Sequence, residues 1–253
     1  MNSAVNVLMY HAISDAPGPT SIDPATFRRQ MDALAARGYE LVPLRDLAAW
    51  HEGSTVLPAR AAVITFDDGF ADFAEQAAPI LLARGWSATV FLPTGRLGGR
   101  EDWDGADEPT RPLMTWAQVE DLAARGIDFG AHSVSHADLT KLGAADLERE
   151  IRQSSKDIER HMGQAPVGFA PPYGRSSCAV RAAIGKWFRV SVGTRLQRAT
   201  RDCDLLDLPR IEMHYFRDLA RWDAYLDGRA EFYFELRRAL RRLRQIAVER
   251  RWS

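Results

Sequence analysis

Short apolar runs alternate with longer amphipathic segments along most of this 253-residue chain. Each apolar run ends at polar residues, proline or glycine, as is typical of a buried strand, and between the runs apolar residues recur at helical spacing. The alternation indicates a parallel sheet and predicts one α/β domain, a single distorted (β/α) barrel of seven strands. The predicted helices cover residues 26–37, 44–50, 73–84, 115–126, 147–162 and 180–187. The predicted strands cover residues 5–10, 39–42, 62–66, 88–92, 127–131 and 189–192, and a further short strand-like run precedes His214.

Side chains that can bind a metal follow two of the predicted strands. Residues 62–66 lead into Asp67 and Asp68, and residues 127–131 lead into His132 and, four residues later, His136. The carboxyl ends of barrel strands gather at one face, so we expect these side chains to meet there. Taken alone, Asp-Asp-Gly is also typical of a turn and the two histidines of a solvated loop. Their joint occurrence at strand ends favours a metal site.

One carboxylate and two imidazoles suit a borderline divalent cation, whereas Mg²⁺ and Ca²⁺ prefer oxygen ligands. We therefore expect one divalent ion, Zn²⁺ first, with Fe²⁺, Co²⁺ or Ni²⁺ as alternatives. Adjacent strand residues point to opposite faces, so Asp67 and Asp68 need not share a role. One can bind the metal while the other acts as a base toward water. Three protein ligands, an open coordination position and a nearby base suit metal-assisted hydrolysis.

A third histidine follows the first predicted strand. His11 comes directly after the mostly apolar residues 5–10. An imidazole at such a strand end is well placed for acid–base work, because histidine titrates near neutral pH. His214 is the competing candidate, since it also follows a short strand-like run. A purely structural histidine is the alternative interpretation at position 11.

Three segments resemble the motifs of the polysaccharide deacetylases, the NodB-homology or carbohydrate esterase family 4 proteins. Thr65-Phe66-Asp67-Asp68-Gly69 matches the first motif and His132-Ser133-Val134-Ser135-His136 the second, while Phe169-Ala170-Pro171-Pro172-Tyr173-Gly174 is similar to the third. The resemblance extends from about residue 5 to about residue 214. It implies that Asp67 is the catalytic base, that the backbone N–H of Tyr173 helps to bind the oxyanion, and that the metal ligands are Asp68, His132 and His136.

The chain departs from the family pattern at two points. Ala170 stands where many members have the arginine that orients the base, and the fourth motif of many members, Asp-x-x-Asp-Trp, is not evident. Residues 7–13 and 208–211 instead resemble the branch that deacetylates poly-N-acetylglucosamine polymers. In that branch a histidine near the N-terminus is held to be the catalytic acid, which assigns this role to His11. Arg210 could replace the missing arginine as the partner of Asp67, or it could form an ordinary surface salt bridge.

The resemblance implies a metal-dependent hydrolase that removes N-acetyl groups from an amino sugar or an N-acetylated glycan and releases acetate. An O-acetyl esterase and an amidase with a non-sugar substrate are alternatives, because loops around the site choose the substrate. A homologue that binds carbohydrate without catalysis is the third, and the complete set of metal ligands and base argues against it. Sugar rings could stack on Trp103, Trp116 and Tyr173, although core or lid roles fit the two tryptophans equally well.

Composition and segment pattern limit the classes of protein and partner to which this chain can belong. An apolar content of 46% allows a large core, and a net charge of −1 gives no bias toward nucleic acid. Cys178 and Cys203 lack a metal-binding spacing and are interpreted as incidental thiols. No basic segment followed by a long apolar one opens the chain, and no apolar run has transmembrane length. A cytoplasmic location is therefore expected.

The last residues differ from the rest of the chain. Residues 229–253 are rich in arginine and carry leucines at helical spacing, which predicts a basic amphipathic helix. The predicted division is therefore a deacetylase-like barrel over residues 1–228 and this helix over residues 229–253. We expect the helix to pack on the barrel with a solvated arginine face. Contact with a membrane surface or with a partner protein is the alternative.

Overall fold

The computed structural model describes residues 4–106 and 109–229. Its strands are β1 (Asn6–Tyr10), β2 (Ala12–Ile13), β3 (Ser21–Ile22), β4 (Glu40–Leu41), β5 (Ala61–Phe66), β6 (Thr89–Leu92), β7 (Asp128–Ala131), β8 (Val192–Leu196) and β9 (Leu208–Glu212). Its α-helices are α1 (Pro24–Ala36), α2 (Leu44–His51), α3 (Ala78–Leu82), α4 (Trp116–Ala124), α5 (Ala144–Met162), α6 (Cys178–Ile184) and α7 (Leu219–Leu226). Short 3₁₀ turns cover Leu139–Lys141, Pro172–Gly174 and Met213–Phe216.

Within these ranges a sheet of seven parallel strands is wrapped into a barrel. The strand order is β7-β6-β5-β1-β9-β8, with β4 paired to β5. Phe169 makes parallel bridges to Ala131 at the end of β7 and to Ser191 beside β8, which closes the circuit. The barrel is distorted because β4 pairs with the start of β5 whereas β6 pairs with its end. The predicted distorted (β/α) barrel is confirmed.

The core fixes the strand ends from which the site residues follow. Strand β5 is buried along its whole length, as its uninterrupted apolar run predicts. Helix α1 buries Phe27, Met31 and Leu34, which lie on one face because they are four and three residues apart. The Phe27 ring contacts Tyr10 at the end of β1 and Phe66 at the end of β5, with ring centroids 5.2 and 5.9 Å away.

Two predicted elements differ from the observed ones. The helix predicted over residues 73–84 is a π-helical turn, Phe73–Ala77, followed by α3. Pro79 has no backbone N–H to donate into a continuous α-helix, and the wider turn accommodates its absence. The strand predicted over residues 189–192 is found at β8, where pairing with β9 draws in the polar residues Thr194 and Arg195. Strands β2 and β3 and helix α7 are additional to the prediction.

Among the described residues, no helix combines the length and apolar character that crossing a membrane requires. The predicted basic helix over residues 229–253 lies outside the described residues except for Arg229. Its packing on the barrel and its contact with a membrane or partner therefore stay predictions. The cytoplasmic location likewise stays a prediction.

Candidate active site

Three buried side chains converge at the carboxyl ends of β5 and β7. Asp68 follows β5, and its Oδ1 lies 3.3 Å from Nε2 of His132 and 3.2 Å from Nε2 of His136. The three potential ligand atoms all lie within 4.8 Å of one another. The structure therefore brings together the three residues that the sequence proposed as metal ligands.

A hydrogen bond on the far side of His132 determines which ring nitrogen faces Asp68. Nδ1 of His132 lies 2.6 Å from the carbonyl oxygen of Ala170. A carbonyl can only accept, so Nδ1 carries the proton and Nε2 presents its lone pair, an arrangement common in metal-binding histidines. Two imidazoles and one carboxylate at these distances fit a borderline divalent cation such as zinc. Ala170 lacks the expected arginine side chain but contributes its backbone.

The backbone of the site adopts an unfavourable conformation. Among the described residues, non-glycine positions with positive φ are Asp68 (71°), Ser133 (64°), His136 (61°) and Tyr173 (60°). A side chain with a Cβ disfavours this region, and such residues persist where the surroundings hold them in place. All four belong to the predicted metal ligands, to the loop between the two histidines or to the third motif.

Asp67 is held in place by a buried arginine on a nearby strand of the barrel. Nη1 and Nη2 of Arg210, on β9, each donate to one carboxylate oxygen of Asp67 at 2.7 Å. Nη1 of Arg210 also donates to Thr65 Oγ1, and its Nε donates to the carbonyl of Gly193. Arg210 is 1% exposed, so this is a buried two-point contact and not a surface salt bridge.

The surroundings favour ionised aspartates. Burial by itself raises the pKa of Asp67, but the charge of Arg210 and its hydrogen bonds outweigh burial and hold that pKa below its ordinary value. Burial also opposes ionisation of Asp68, yet the neighbouring imidazoles of His132 and His136 bring its pKa well below the ordinary value. Burial lowers the pKa of both imidazoles. At His132 the contact with Asp68 outweighs burial, so its pKa is raised above the ordinary value. At His136 burial prevails, so its pKa is lowered.

The two candidate acids occupy different places. Nε2 of His11, directly after β1, lies 4.0 Å from Oδ2 of Asp67, and its side chain is 17% exposed. His11 lines the cleft that contains the other candidate residues. His214 lies in the 3₁₀ turn after β9 and is not among the residues that line this cleft. The geometry therefore favours His11 over His214 for proton transfer to a bound substrate.

An open cleft of about 550 Å³ lies over these residues. The rings of Trp103 and Tyr173 flank His136, with centroids 4.2 and 4.8 Å from its ring. Trp116 instead stacks on His161 and does not line the cleft. The lining residues are Met9, His11, Pro19, Thr20, Asp67, Asp68, Trp103, Asp104, Gly105, His132, His136, Tyr173, Gly174, Thr194 and Glu212.

Sequence reasoning missed the anchor of the Trp103 loop. Glu101 and Arg111 form a buried two-point ion pair, with N–O distances of 2.8 Å. Arg111 also donates to Thr20 Oγ1 and Ser21 Oγ, which ties the loop to the segment after β2. The loop has no periodic pattern that signals this pairing, so only the folded chain shows it.

Comparison with known proteins gives a family and several relatives. Residues 55–187, more than half of the chain, match the family model described as polysaccharide deacetylase. YxkH of Bacillus subtilis (strain 168), itself only provisionally assigned as a polysaccharide deacetylase, is 24% identical over 223 residues, covering 88% of this chain and 76% of YxkH. The poly-β-1,6-N-acetyl-D-glucosamine N-deacetylase of Escherichia coli (strain K12) is 31% identical over 119 residues. That alignment covers 45% of this chain and 18% of the E. coli enzyme.

Solved structures show the same fold. The deacetylase PplD of Streptococcus pyogenes, in complex with acetate, superposes with a TM-score of 0.74 at 23% identity, covering 83% of this chain and 92% of PplD. IcaB from Ammonifex degensii superposes with a TM-score of 0.73 at 21% identity, covering 88% of this chain and 98% of IcaB. At these identities the likeness concerns the barrel and not the substrate.

Proposed function

This chain belongs to the polysaccharide deacetylase family, and we propose that it is a metal-dependent hydrolase. The proposed reaction removes N-acetyl groups from an amino sugar or an N-acetylated glycan and releases acetate. One observation carries the proposal. A single cleft contains the donor set of Asp68, His132 and His136 beside an aspartate, Asp67, that a buried arginine holds ionised. The E. coli relative, a poly-β-1,6-N-acetyl-D-glucosamine N-deacetylase, supports the same substrate class.

The proposed metal ligands are Asp68, His132 and His136. Their one carboxylate and two imidazoles favour Zn²⁺ and also suit Fe²⁺, Co²⁺ or Ni²⁺. When bound, the metal supplies Lewis-acid chemistry, which polarises a carbonyl group and makes water more acidic. The remaining steps rest on groups of the protein.

Asp67 is the proposed base. Its two-point contact with Arg210 keeps the carboxylate ionised and fixes its orientation. As water attacks the acetyl carbonyl carbon, Asp67 accepts the proton that the water loses. The carbonyl oxygen becomes negatively charged, and the backbone N–H of Tyr173 donates a hydrogen bond to it.

His11 is the proposed acid. An amide nitrogen leaves readily only after it is protonated, so a donor must stand close to the scissile C–N bond. His11 lines the cleft beside Asp67 and can give its proton to this nitrogen as the bond breaks. The products are acetate and the free amino sugar. An O-acetyl ester depends less on such a donor, because an alkoxide leaves more easily than an unprotonated amine.

The aromatic rings beside His136 are the proposed sugar contacts. Trp103 and Tyr173 stand on two sides of this histidine at the cleft, and the loop that carries Trp103 is anchored by the buried Glu101–Arg111 pair. Faces of pyranose rings pack well on such aromatic surfaces. This arrangement supports a carbohydrate substrate over a small non-sugar amide.

Acetate release from a panel of acetylated compounds tests the proposal. We expect the purified protein to release acetate from N-acetylglucosamine oligomers, to lose this activity after chelation and to recover it when Zn²⁺ is restored. O-acetylated sugars and non-sugar acetamides in the same panel distinguish the alternatives, because a clear preference for either would indicate an esterase or an amidase. Metal-loaded protein that hydrolyses none of these compounds, nor an aryl acetate, would contradict the proposal and favour a binding homologue.

A further inference from the structure

The two proposed histidine ligands are oriented in different ways. His132 is fixed through its ring, because Nδ1 bonds the Ala170 carbonyl. No hydrogen-bond partner for the buried Nδ1 of His136 is found among the described residues. The orientation of His136 therefore depends on its backbone and on the two aromatic rings beside it. That backbone has a positive φ of 61°, which the ordinary preference of a histidine does not maintain.

The loop of residues 133–135 joins the two histidines, and its backbone groups are paired on both sides. The carbonyls of Ser133 and Val134 accept hydrogen bonds from the backbone N–H groups of Thr94 and Gly95 at 3.1 and 2.8 Å. Oγ of Ser133 accepts from the N–H of His136 at 3.0 Å. The N–H groups of Val134 and Ser135 point toward helix α5.

A single carboxylate on α5 receives these donors. Oε2 of Glu150 accepts the N–H groups of Val134 and Ser135, each at 2.9 Å, and its Oε1 accepts the hydroxyl of Ser135 at 3.0 Å. Glu150 is 7% exposed, and the apolar neighbours Leu147 and Ile151 pack this face of the helix in the core. Hydrogen bonds to a carboxylate are stronger than those between neutral groups.

We infer that Glu150 is a positioning residue for the metal centre: it holds the loop of residues 133–135 in the strained conformation that aims His136 at Asp68. A strained backbone persists only where its surroundings over-determine it, and three hydrogen bonds donated to one buried carboxylate supply that constraint. Glu150 thereby orients His136 through the backbone, whereas the Ala170 carbonyl orients His132 through its ring. The inference rests on the metal centre of the proposed function.

Helix α5 offers a matched control. Asp157 lies seven residues after Glu150 on the same face of α5, is also buried, and accepts a hydrogen bond from Thr94 Oγ1 at 2.9 Å. It contacts the loop after β6 and not the loop between the histidines. Replacing either acid by alanine removes a buried carboxylate from α5, but only the change at Glu150 frees the loop donors.

The test compares the wild-type chain with Glu150→Ala and Asp157→Ala. Zn²⁺ affinity is measured by competition with a chromogenic chelator, and the visible absorption spectrum is recorded for the Co²⁺-loaded proteins. Loss of a partner that orients a ligand usually weakens metal binding about 10–100-fold, and we expect this loss and an altered Co²⁺ spectrum for Glu150→Ala. Asp157→Ala should bind Zn²⁺ within about threefold of wild type, because its contact is one loop away. Glu150→Gln should lie between wild type and Glu150→Ala, because its amide oxygen still accepts.

Each other outcome has a distinct meaning. Equal Zn²⁺ affinity in wild type and folded Glu150→Ala, or equal weakening in the Glu150 and Asp157 variants, would overturn the inference. If Glu150→Ala does not fold, Glu150→Gln is compared with Asp157→Asn: weaker Zn²⁺ binding by Glu150→Gln supports the inference, and equal binding overturns it. A wild-type chain that binds no divalent metal would contradict the proposed metal centre itself, before any variant is considered.

Discussion

The site has two halves that the chain builds in different ways. The proposed metal half, Asp68, His132 and His136, comes from two short motifs after β5 and β7, which are separated in the sheet by β6. The proposed acid–base half, His11, Asp67 and Arg210, comes from the ends of β1 and β5 and from β9, three strands that lie side by side although their residues are far apart in sequence. The metal half is thus encoded locally, whereas the acid–base half exists only once the strand order is set.

The halves also differ in how they are held. In the metal half the backbone has positive φ at Asp68 and His136, and the loop between the two histidines is hydrogen-bonded to residues 94 and 95 and to Glu150 on α5. In the acid–base half the side chains position one another. Arg210 donates two hydrogen bonds to Asp67, and Nε2 of His11 lies 4.0 Å from the same carboxylate. We therefore expect changes in the metal half to remove the ion, and changes in the acid–base half to remove turnover while the ion stays.

The largest expected effect is in the metal half. His132→Ala or His136→Ala should abolish tight metal binding and acetate release together, because each removes one of only three proposed protein ligands. Metal analysis of the purified variants, run beside the activity assay, checks this. Stoichiometric metal in both variants would mean that the two halves have been assigned wrongly.

His11→Ala should break the acid–base half selectively. Amide hydrolysis should fall by about 10²–10⁴-fold, the usual contribution of a positioned general acid, whereas an aryl acetate should be hydrolysed at a rate much closer to that of the wild type. Metal content should not change. His214→Ala is the matched control and should do little. An amide-selective loss at His214 with none at His11 would move the acid to the turn after β9.

Arg210→Lys should give a smaller loss in the same half. Lysine keeps the positive charge but cannot make the two parallel hydrogen bonds to Asp67, so the base loses its fixed orientation. We expect kcat to fall by about 10–100-fold, in line with the loss of a residue that orients a catalytic group, with metal stoichiometry unchanged. Unchanged kcat would show that Arg210 serves packing alone.

Asp72→Asn should give the smallest effect, one on stability. Oδ1 of Asp72 accepts the N–H of Ile13 in β2, just beyond His11, and burial raises the pKa of Asp72 to about 6. Because the folded pKa exceeds the unfolded one, the folded state binds more protons between about pH 4 and pH 6, and this group makes the free energy of unfolding fall as pH rises through that range. Asparagine keeps the acceptor without the charge. Denaturant unfolding should therefore show Asp72→Asn more stable than wild type by about 1 kcal/mol at pH 7, with no gain near pH 4.

The same division explains how much could be predicted from the sequence. The barrel and the proposed metal ligands could be predicted because apolar runs mark the strands, and each ligand motif lies within five residues of a strand end. Arg210 could not be resolved between a partner of Asp67 and a surface salt bridge until the order β5-β1-β9 placed it, 1% exposed, against that carboxylate.

Some residues contribute to the site in a way that their residue type does not reveal. Ala170 departs from the family motif, but it contributes a backbone carbonyl to His132 that any residue could supply. Glu150 lies within a helix that the periodicity predicts, yet spacing alone does not tell which loop its buried face meets. That is settled only when α5 packs beside β7 in the folded barrel.

The two adjacent aspartates test the division between the halves most directly, because they share one motif but are assigned to different halves. Metal stoichiometry and acetate release should be measured together on Asp67→Asn and Asp68→Asn, loaded under the same conditions as wild type. We expect Asp67→Asn to keep one divalent ion and lose turnover, and Asp68→Asn to lose the ion and, with it, turnover. An Asp67→Asn variant that cannot retain metal, or an Asp68→Asn variant that binds metal as tightly as wild type, would contradict the account.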